Sequence, residues 1–192
     1  TLRNLEIFQS LYEGARTLLD VMDRTLTPMG SRLLKRWLSL PLKDVLLIRE
    51  RHNMVEHISR TEEFRDFLIE TIPVVGDLER IISRVAVARV SPRELVQLKN
   101  ALGVMAPLKE RCAESQDESL QRLAAQLDPC SEVKERIERE IETDPPAMIN
   151  KGGVISSGVS AELDELRKIM HSGKDYLQEP VSYTHLRAHE TE

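Results

Sequence analysis

The sequence predicts an all-α fold, and three observations support this prediction. Apolar residues recur at helical spacing along most of the chain. Helix-capping patterns, such as Ser-Pro-Arg-Glu at residues 91–94, precede many of these stretches. Among 192 residues only eight are glycine and three are phenylalanine, with 41% hydrophobic and 31% charged residues. This composition is typical of a Leu-rich helical protein and excludes a disordered or fibrous chain.

The N-terminal part begins with a candidate short strand, Asn4–Phe8, and a short helix or turn, Leu18–Asp23. Thr27 and Pro28 then predict the start of a helix that ends at Pro41. Threonine can cap a first turn, and proline at the first helical position loses no hydrogen bond.

The helix after Thr27 has two unlike faces. Its apolar face consists of Leu33, Leu34, Trp37 and Leu38. The opposite face is basic and consists of Arg32, Lys35 and Arg36. These three cations, beside a tryptophan, are the strongest candidate for a DNA-facing basic patch. The alternative, which we favour, is a solvated basic face over a core anchored by Trp37. The net charge of −5 argues against a surface that binds nucleic acid throughout.

Three further helices are predicted from their caps, Asp44, Thr61 and Asp77. The first has Ile48, Val55 and Ile58 as candidate buried residues. The second has Phe64, Phe67 and Leu68, and should break at Pro73 because proline cannot donate a backbone hydrogen bond.

The clearest helix start is the capping box formed by Ser91 and Glu94. Behind it lies a heptad-like apolar stripe, Leu95, Leu98, Leu102 and Met105, which suits packing along another helix. Gly103 and Pro107 predict a kink or break in this helix.

A polar stretch then precedes the short apolar run Gln121–Leu127, and Asp128 and Pro129 start a highly charged helix. Its apolar positions are Val133, Ile137 and Ile141. The proline pair at residues 145–146 should end it.

The segment Lys151–Arg167, KGGVISSGVSAELDELR, has two interpretations: a phosphate-binding loop or a hinge. Its lysine precedes the glycines, whereas phosphate loops place it after them. The following helix also opens with three carboxylates that would repel phosphate, namely Glu162, Asp164 and Glu165. We therefore favour the hinge. We expect Val154–Ser156 to form a short strand and Ser160 to cap a long protruding C-terminal helix that reaches Glu179.

No catalytic or metal-binding constellation is evident from the sequence. His52 and His57 lie five residues apart on one predicted helix, a spacing that does not stack them as metal ligands, so we interpret them as surface histidines. His185 and His189 lie in an atypical tail. The motifs GxSxG, HExxH and GxxxxGK[ST] do not occur. Two isolated cysteines indicate a reducing, cytoplasmic location. No stretch approaches the roughly 18 apolar residues of a membrane span.

Residues 181–192 differ from the rest of the chain. They contain two of the five histidines and show no apolar period. We interpret them as a non-native tail, such as a translated adapter, and residues 1–180 as one incomplete domain. The chain begins with threonine, so we expect it to be an excerpt of a longer protein.

Several of these segments together resemble the MutS proteins of DNA mismatch repair. They are RNLE (3–6), LLDVMDRTLTPMGSRLLKRWLSLPL (18–42), IRER (48–51), GDLER (76–80), SPREL (91–95) and KGGVISSGVSAELDELR (151–167). The resemblance is collinear from Thr1 to about Leu177.

The resemblance implies a helical core or lever domain that lies between a DNA-binding N-terminal part and a C-terminal ATPase. Its long helices would lead to a clamp around the duplex. It implies mismatched duplex DNA, a second MutS-like subunit and a MutL-type protein as partners of the parent protein. ATP and Mg²⁺ would bind the parent's ATPase part, so this segment would have no cofactor and no enzymatic activity. The family's Phe-x-Glu motif has no counterpart here. The alternative is a free-standing helical interaction module that binds a partner through the stripe after Ser91.

Overall fold

A computed structural model describes residues 5–170 and residue 172. Within these residues the fold is helical, and no sheet is formed. The helices are α1 (Leu18–Met22), α2 (Pro28–Ser39), α3 (Val45–Arg60), α4 (Glu62–Val75), α5 (Leu78–Ala86), α6 (Pro92–Gly103), α7 (Met105–Ala113), α8 (Glu118–Gln126) and α9 (Ser131–Glu140). A short 3₁₀ turn, Ile149–Lys151, follows, and residues 161–170 form a further helix, named here the arm helix.

Most helix starts follow the predicted caps. The side chains of Thr27, Asp44 and Asp77 each accept a hydrogen bond from a first-turn amide of their helix. Ser91 and Glu94 form the predicted capping box at the start of α6. Thr61 occupies the cap position of α4, but its side chain makes no capping hydrogen bond. These local contacts explain why the helices begin where the sequence predicts.

The hydrophobic core lies where α3, α4, α7 and α8 meet. Its buried members are Phe64, Cys112, Leu120 and Ala124. Partly buried side chains surround them, namely Met54, Ile58, Phe67, Leu68 and Leu108. The rings of Phe64 and Phe67 are stacked, with centroids 6.4 Å apart. The core therefore contains the residues predicted for α4 but not all of those predicted for α3, since Val55 is exposed.

A second packing layer joins α6 to α9, with α4 and α5 against the same helix. The break predicted near Gly103 is confirmed, because α6 ends there and α7 begins at Met105. Leu102 and Met105 of the predicted stripe are buried. Pro145 is fully buried, and its carbonyl accepts a 3.1 Å hydrogen bond from Arg93 Nε at the start of α6. The proline turn after α9 is thus attached to α6.

The strand predicted at Asn4–Phe8 is wrong for the residues that the structure describes. Residues 5–8 form turns and bends. The carbonyl of Ile7 accepts a 3.0 Å hydrogen bond from the amide of Leu19, in the first turn of α1. Since Ile7 is also buried, this segment supports the start of a helix and joins no sheet.

The break predicted at Pro73 is also misplaced. Helix α4 continues through Pro73 to Val75 and ends at Gly76, whose φ of 61° is easily adopted only by glycine. Proline has helical φ and removes only one backbone hydrogen bond in the last turn. The helix can therefore extend two residues beyond it.

The second predicted strand, Val154–Ser156, is reduced to one antiparallel bridge between Ile155 and Ile141. The cap predicted at Ser160 is confirmed, because its hydroxyl accepts from the amide of Leu163. The arm helix is predicted to reach Glu179, but beyond residue 170 only residue 172, which is helical, belongs to the described residues. The tail prediction for residues 181–192 and the histidines His185 and His189 also lie outside them.

Candidate functional site

The segment of residues 151–167 is predicted to be either a phosphate-binding loop or a hinge. Several hydrogen bonds connect the base of the arm helix to the loop before it. Gly152 and Gly153 have φ values of 70° and 67°, so they reverse the chain in a conformation that favours glycine. After the reversal, the amide of Gly158 donates a 2.7 Å hydrogen bond to Asp164 Oδ2. The Asp164 carboxylate thus already accepts the hydrogen bond of an amide that a bound phosphate would need. This geometry disfavours the interpretation of the segment as a phosphate-binding loop.

Arg167 lies one turn further along the arm helix. Its Nη1 donates to Asp164 Oδ1 at 3.0 Å, and its Nη2 donates to the carbonyl of Ile155 at 2.6 Å. Both side chains are only about one quarter exposed, at 25% and 26%. In the sequence, Asp164 is one of three carboxylates that open this helix and would repel phosphate. The structure shows instead that it forms specific contacts with both Arg167 and the preceding loop.

The predicted DNA-facing basic patch, Arg32, Lys35 and Arg36, lies on an exposed side of α2. Arg32 forms ion pairs with two carboxylates at the start of α5. Its guanidinium donates to Asp77 at 2.7 and 3.0 Å and to Glu79 at 2.6 and 3.0 Å. These hydrogen bonds raise the pKa of Arg32, and the same contact lowers the pKa of Asp77.

The contacts of Arg32 give it a structural role, because they join α2 to the start of α5. The Lys35 ammonium lies 5.4 Å from the centre of the Phe8 ring, a cation–π distance. Arg36 is exposed. Contact of this patch with DNA stays a prediction.

Trp37 does not anchor a core, so that part of the alternative interpretation of α2 is wrong. Its side chain is 42% exposed, and the guanidinium of Arg51 lies 3.6 Å from its ring centre. Leu33 on the same helix is 45% exposed, and Leu40 at its C-cap is 70% exposed. Helix α2 therefore presents a partly exposed apolar surface, on which an arginine of α3 lies over the tryptophan ring.

No sequence pattern predicts the contact between His57 and Ser115, which are 58 residues apart. The hydroxyl of Ser115 lies 2.9 Å from His57 Nε2, beside an open cavity of about 360 Å³. The same hydroxyl accepts from the amide of Asp117, so it also caps the turn before α8. Among the residues that the structure describes, no carboxylate hydrogen-bonds the His57 ring. Arg111 in this cavity is paired with Glu63 at 2.7 Å. The Ser115–His57 pair therefore lacks the orienting acid of a nucleophile–base system. Its contact joins α3 to the turn between α7 and α8.

Comparison with known proteins identifies the segment. A family model described as MutS domain III matches residues 1–188. Proteins named DNA mismatch repair protein MutS from Bacteroides thetaiotaomicron and Bacteroides fragilis are each 54% identical over 177 residues. The corresponding protein of Phocaeicola vulgatus is 52% identical over the same length. The chain belongs to the MutS family.

These alignments cover 92% of the chain but only 20% of each of the three MutS relatives. The matched part of MutS is domain III, which agrees with the helical fold described above. Within the described part of this MutS segment, no cluster of three or more histidine, cysteine or acidic residues is arranged to hold a metal. Nor does that part contain a helix long and apolar enough to cross a membrane.

Proposed function

We propose that this chain is the lever segment of a MutS-type mismatch repair protein. In this role it relays movement between an ATPase part and a clamp around DNA, and it has no enzymatic activity of its own. The observation that carries the proposal is the attachment of the arm helix to the α6–α9 layer through Asp164, Arg167 and the Ile141–Ile155 bridge. A helix fixed at its base can transmit a rotation, because its backbone hydrogen bonds resist bending.

The predicted length of the arm suits this role. From Ala161 to Glu179 a helix would span about 28 Å at a rise of about 1.5 Å per residue. A small rotation at the base would therefore produce a displacement of several ångströms at the far end. The exposed apolar surface of α2 also supports the proposal, since a surface of this kind is typical of a segment that packs against other protein parts.

The partners belong to the same proposal. They are mismatched duplex DNA, a second MutS-like subunit and a MutL-type repair protein, in a cytoplasmic setting. ATP and Mg²⁺ would act elsewhere in the parent protein. The residues present here do not fit them, because the chain contains no GxxxxGK[ST] motif and the amide of Gly158 is already bound to Asp164.

A segment exchange tests the proposal. The chain, without residues 181–192, replaces the matching segment of MutS from Bacteroides thetaiotaomicron, and the mutation rate of a strain lacking its own MutS is measured. We expect the exchange to restore a low mutation rate. We expect Leu166→Pro, which breaks the arm helix, to abolish this effect, while Leu166→Ala keeps it. Leu166 is 57% exposed, so neither change disturbs the core.

The competing function is that of a free-standing interaction module, which would bind a partner protein through the apolar stripe after Ser91. The structure does not favour it, because the buried part of the predicted stripe, Leu102 and Met105, already packs within the chain. If the exchanged protein repairs DNA equally well with Leu166→Pro, the arm transmits nothing and the lever proposal is wrong.

A further inference from the structure

The loop before the arm helix has a backbone acceptor, the carbonyl of Ile155, that takes no part in the two hydrogen bonds of the bridge to the end of α9. In the antiparallel bridge, the amide of Glu142 donates to Val154 and the amide of Ser156 donates to Glu140, both at 2.9 Å. Because neighbouring residues of an antiparallel pair direct their backbone groups to opposite sides, the carbonyl of Ile155 faces away from the end of α9. It faces the arm helix.

Arg167 supplies the donor for this carbonyl. Its Nη2 lies 2.6 Å from the oxygen of Ile155, in the place where a further strand would donate an amide. The other terminal nitrogen of the guanidinium, Nη1, donates a 3.0 Å hydrogen bond to Asp164 Oδ1. Asp164 Oδ2 in turn accepts a hydrogen bond from the amide of Gly158. One turn of the arm helix is therefore bonded to both ends of the loop formed by residues 155–158.

The loop is itself attached to the bundle. The two bridge hydrogen bonds join it to the end of α9. Helix α9 packs along α6, and Arg93 at the start of α6 binds the buried turn at Pro145. A continuous set of contacts thus leads from α6 to the arm helix and bypasses the glycine pair at residues 152–153.

The geometry points to Arg167 and Asp164 as positioning residues that fix the direction of the arm helix relative to α9. Together they make the arm move with α6 and α9 as one body. The glycine pair reverses the chain, but the arm helix does not swing about it. This inference differs from the sequence-based prediction that the segment is a hinge. The inference rests on the proposed lever function, because it states how the lever is held at its base.

The chain contains a matched control. Arg65 and Glu62 on α4 form an ion pair at the same helical spacing as Arg167 and Asp164, with a distance of 3.2 Å. Arg65 also contacts the neighbouring Asp66 of its own helix at 3.3 Å. Both of these acidic partners lie on α4 itself. Arg65→Gln therefore removes a helix-surface pair but no connection between elements.

The experiment measures the distance distribution between two spin labels in the full chain. One label is placed on Cys130, which is exposed at the start of α9, and the other on Lys168→Cys in the arm helix. Cys112 is 3% exposed and remains unlabelled. Position 168 lies about 12 Å along the helix from its cap at about 1.5 Å per residue, so a swing of about 20° moves the label by about 4 Å. Circular dichroism and thermal unfolding verify that each variant is folded.

We expect a narrow distribution in the parent chain and with Arg65→Gln, and a distribution at least about 4 Å wider with Arg167→Gln, as a swing of that size requires. Arg167→Lys should give an intermediate width, because one ammonium cannot bind Asp164 and Ile155 as a planar fork does. It also serves as the test if Arg167→Gln does not fold. A narrow distribution in both Arg167 variants overturns the inference and leaves the lever proposal standing. A broad distribution in the parent chain overturns both, since the arm would then have no fixed direction.

Discussion

Phe64 provides the most direct test of the core described here. Its side chain is 6% exposed and stacks on Phe67 among residues of α3, α4, α7 and α8. Phe64→Ala removes the ring and leaves a cavity between these helices. The transfer of a buried phenylalanine side chain to water and the cavity together cost about 3–5 kcal/mol.

The structure places the expected value at the lower end of this range. Phe64 also lines the open cavity beside His57, so water can enter the space and neighbouring side chains can relax into it. We therefore expect the free energy of unfolding to fall by about 3 kcal/mol. With a urea dependence of about 2 kcal/mol per molar, the unfolding midpoint should fall by about 1.5 M.

Urea unfolding followed by circular dichroism measures this shift. Val55→Ala on α3 is the control, because Val55 is 62% exposed and should change the free energy of unfolding by less than about 0.5 kcal/mol. A midpoint shift below about 0.5 M for Phe64→Ala, at an unchanged slope, would refute the proposed position of the core. Equal shifts for both variants would refute it as well.

Two further predictions concern contacts that begin helices. Ser91→Ala removes the capping box of α6, in which the Ser91 amide lies 2.8 Å from Glu94, and should lower the free energy of unfolding by about 1 kcal/mol in urea; Ser83→Ala, which removes only a hydroxyl bonded within its own helix, should not. Asp77→Asn should remove a pH-dependent part of the stability. The pKa of Asp77 is held below its ordinary value of 3.8 mainly by hydrogen bonds from Arg32, so this stabilisation is full above pH 3.8 and is lost as the pH falls through the lower, folded-state pKa. Thermal unfolding from pH 7 to pH 2 should show the two proteins differing most at neutral pH, and a difference that grows towards acid would contradict the assigned contact.

The sequence predicted the helix starts well because capping is a local interaction. Thr27, Asp44, Asp77 and Ser91 each bond to amides two or three residues away, so the pattern that predicts the bond also contains both partners. The break at Gly103 was predicted for the same reason. Pro73 shows where a local rule fails, because the helix tolerates a proline in its last turn.

Burial could not be predicted to the same extent. Trp37 and Val55 lie on apolar faces of their helices, yet both are exposed. Helical periodicity shows which residues share a face, but the presence of another element against that face depends on the whole chain. The predictions of short strands were wrong for a similar reason, since a strand needs a partner. Within the part of the chain that the structure describes, Ile155 forms a single bridge, to Ile141.

The sequence alone determined the helical class, the starts of most helices and, through its resemblance, the family. Only the tertiary structure decided what the charged residues do. Arg32 meets two carboxylates 45 and 47 residues away, and Arg167 meets a carbonyl 12 residues away. The composition of a helix face is the same for a solvated cation and for one that joins two elements. The difference arises when folding brings a distant acceptor within hydrogen-bond distance, and at Arg167 that acceptor fixes the arm to the bundle.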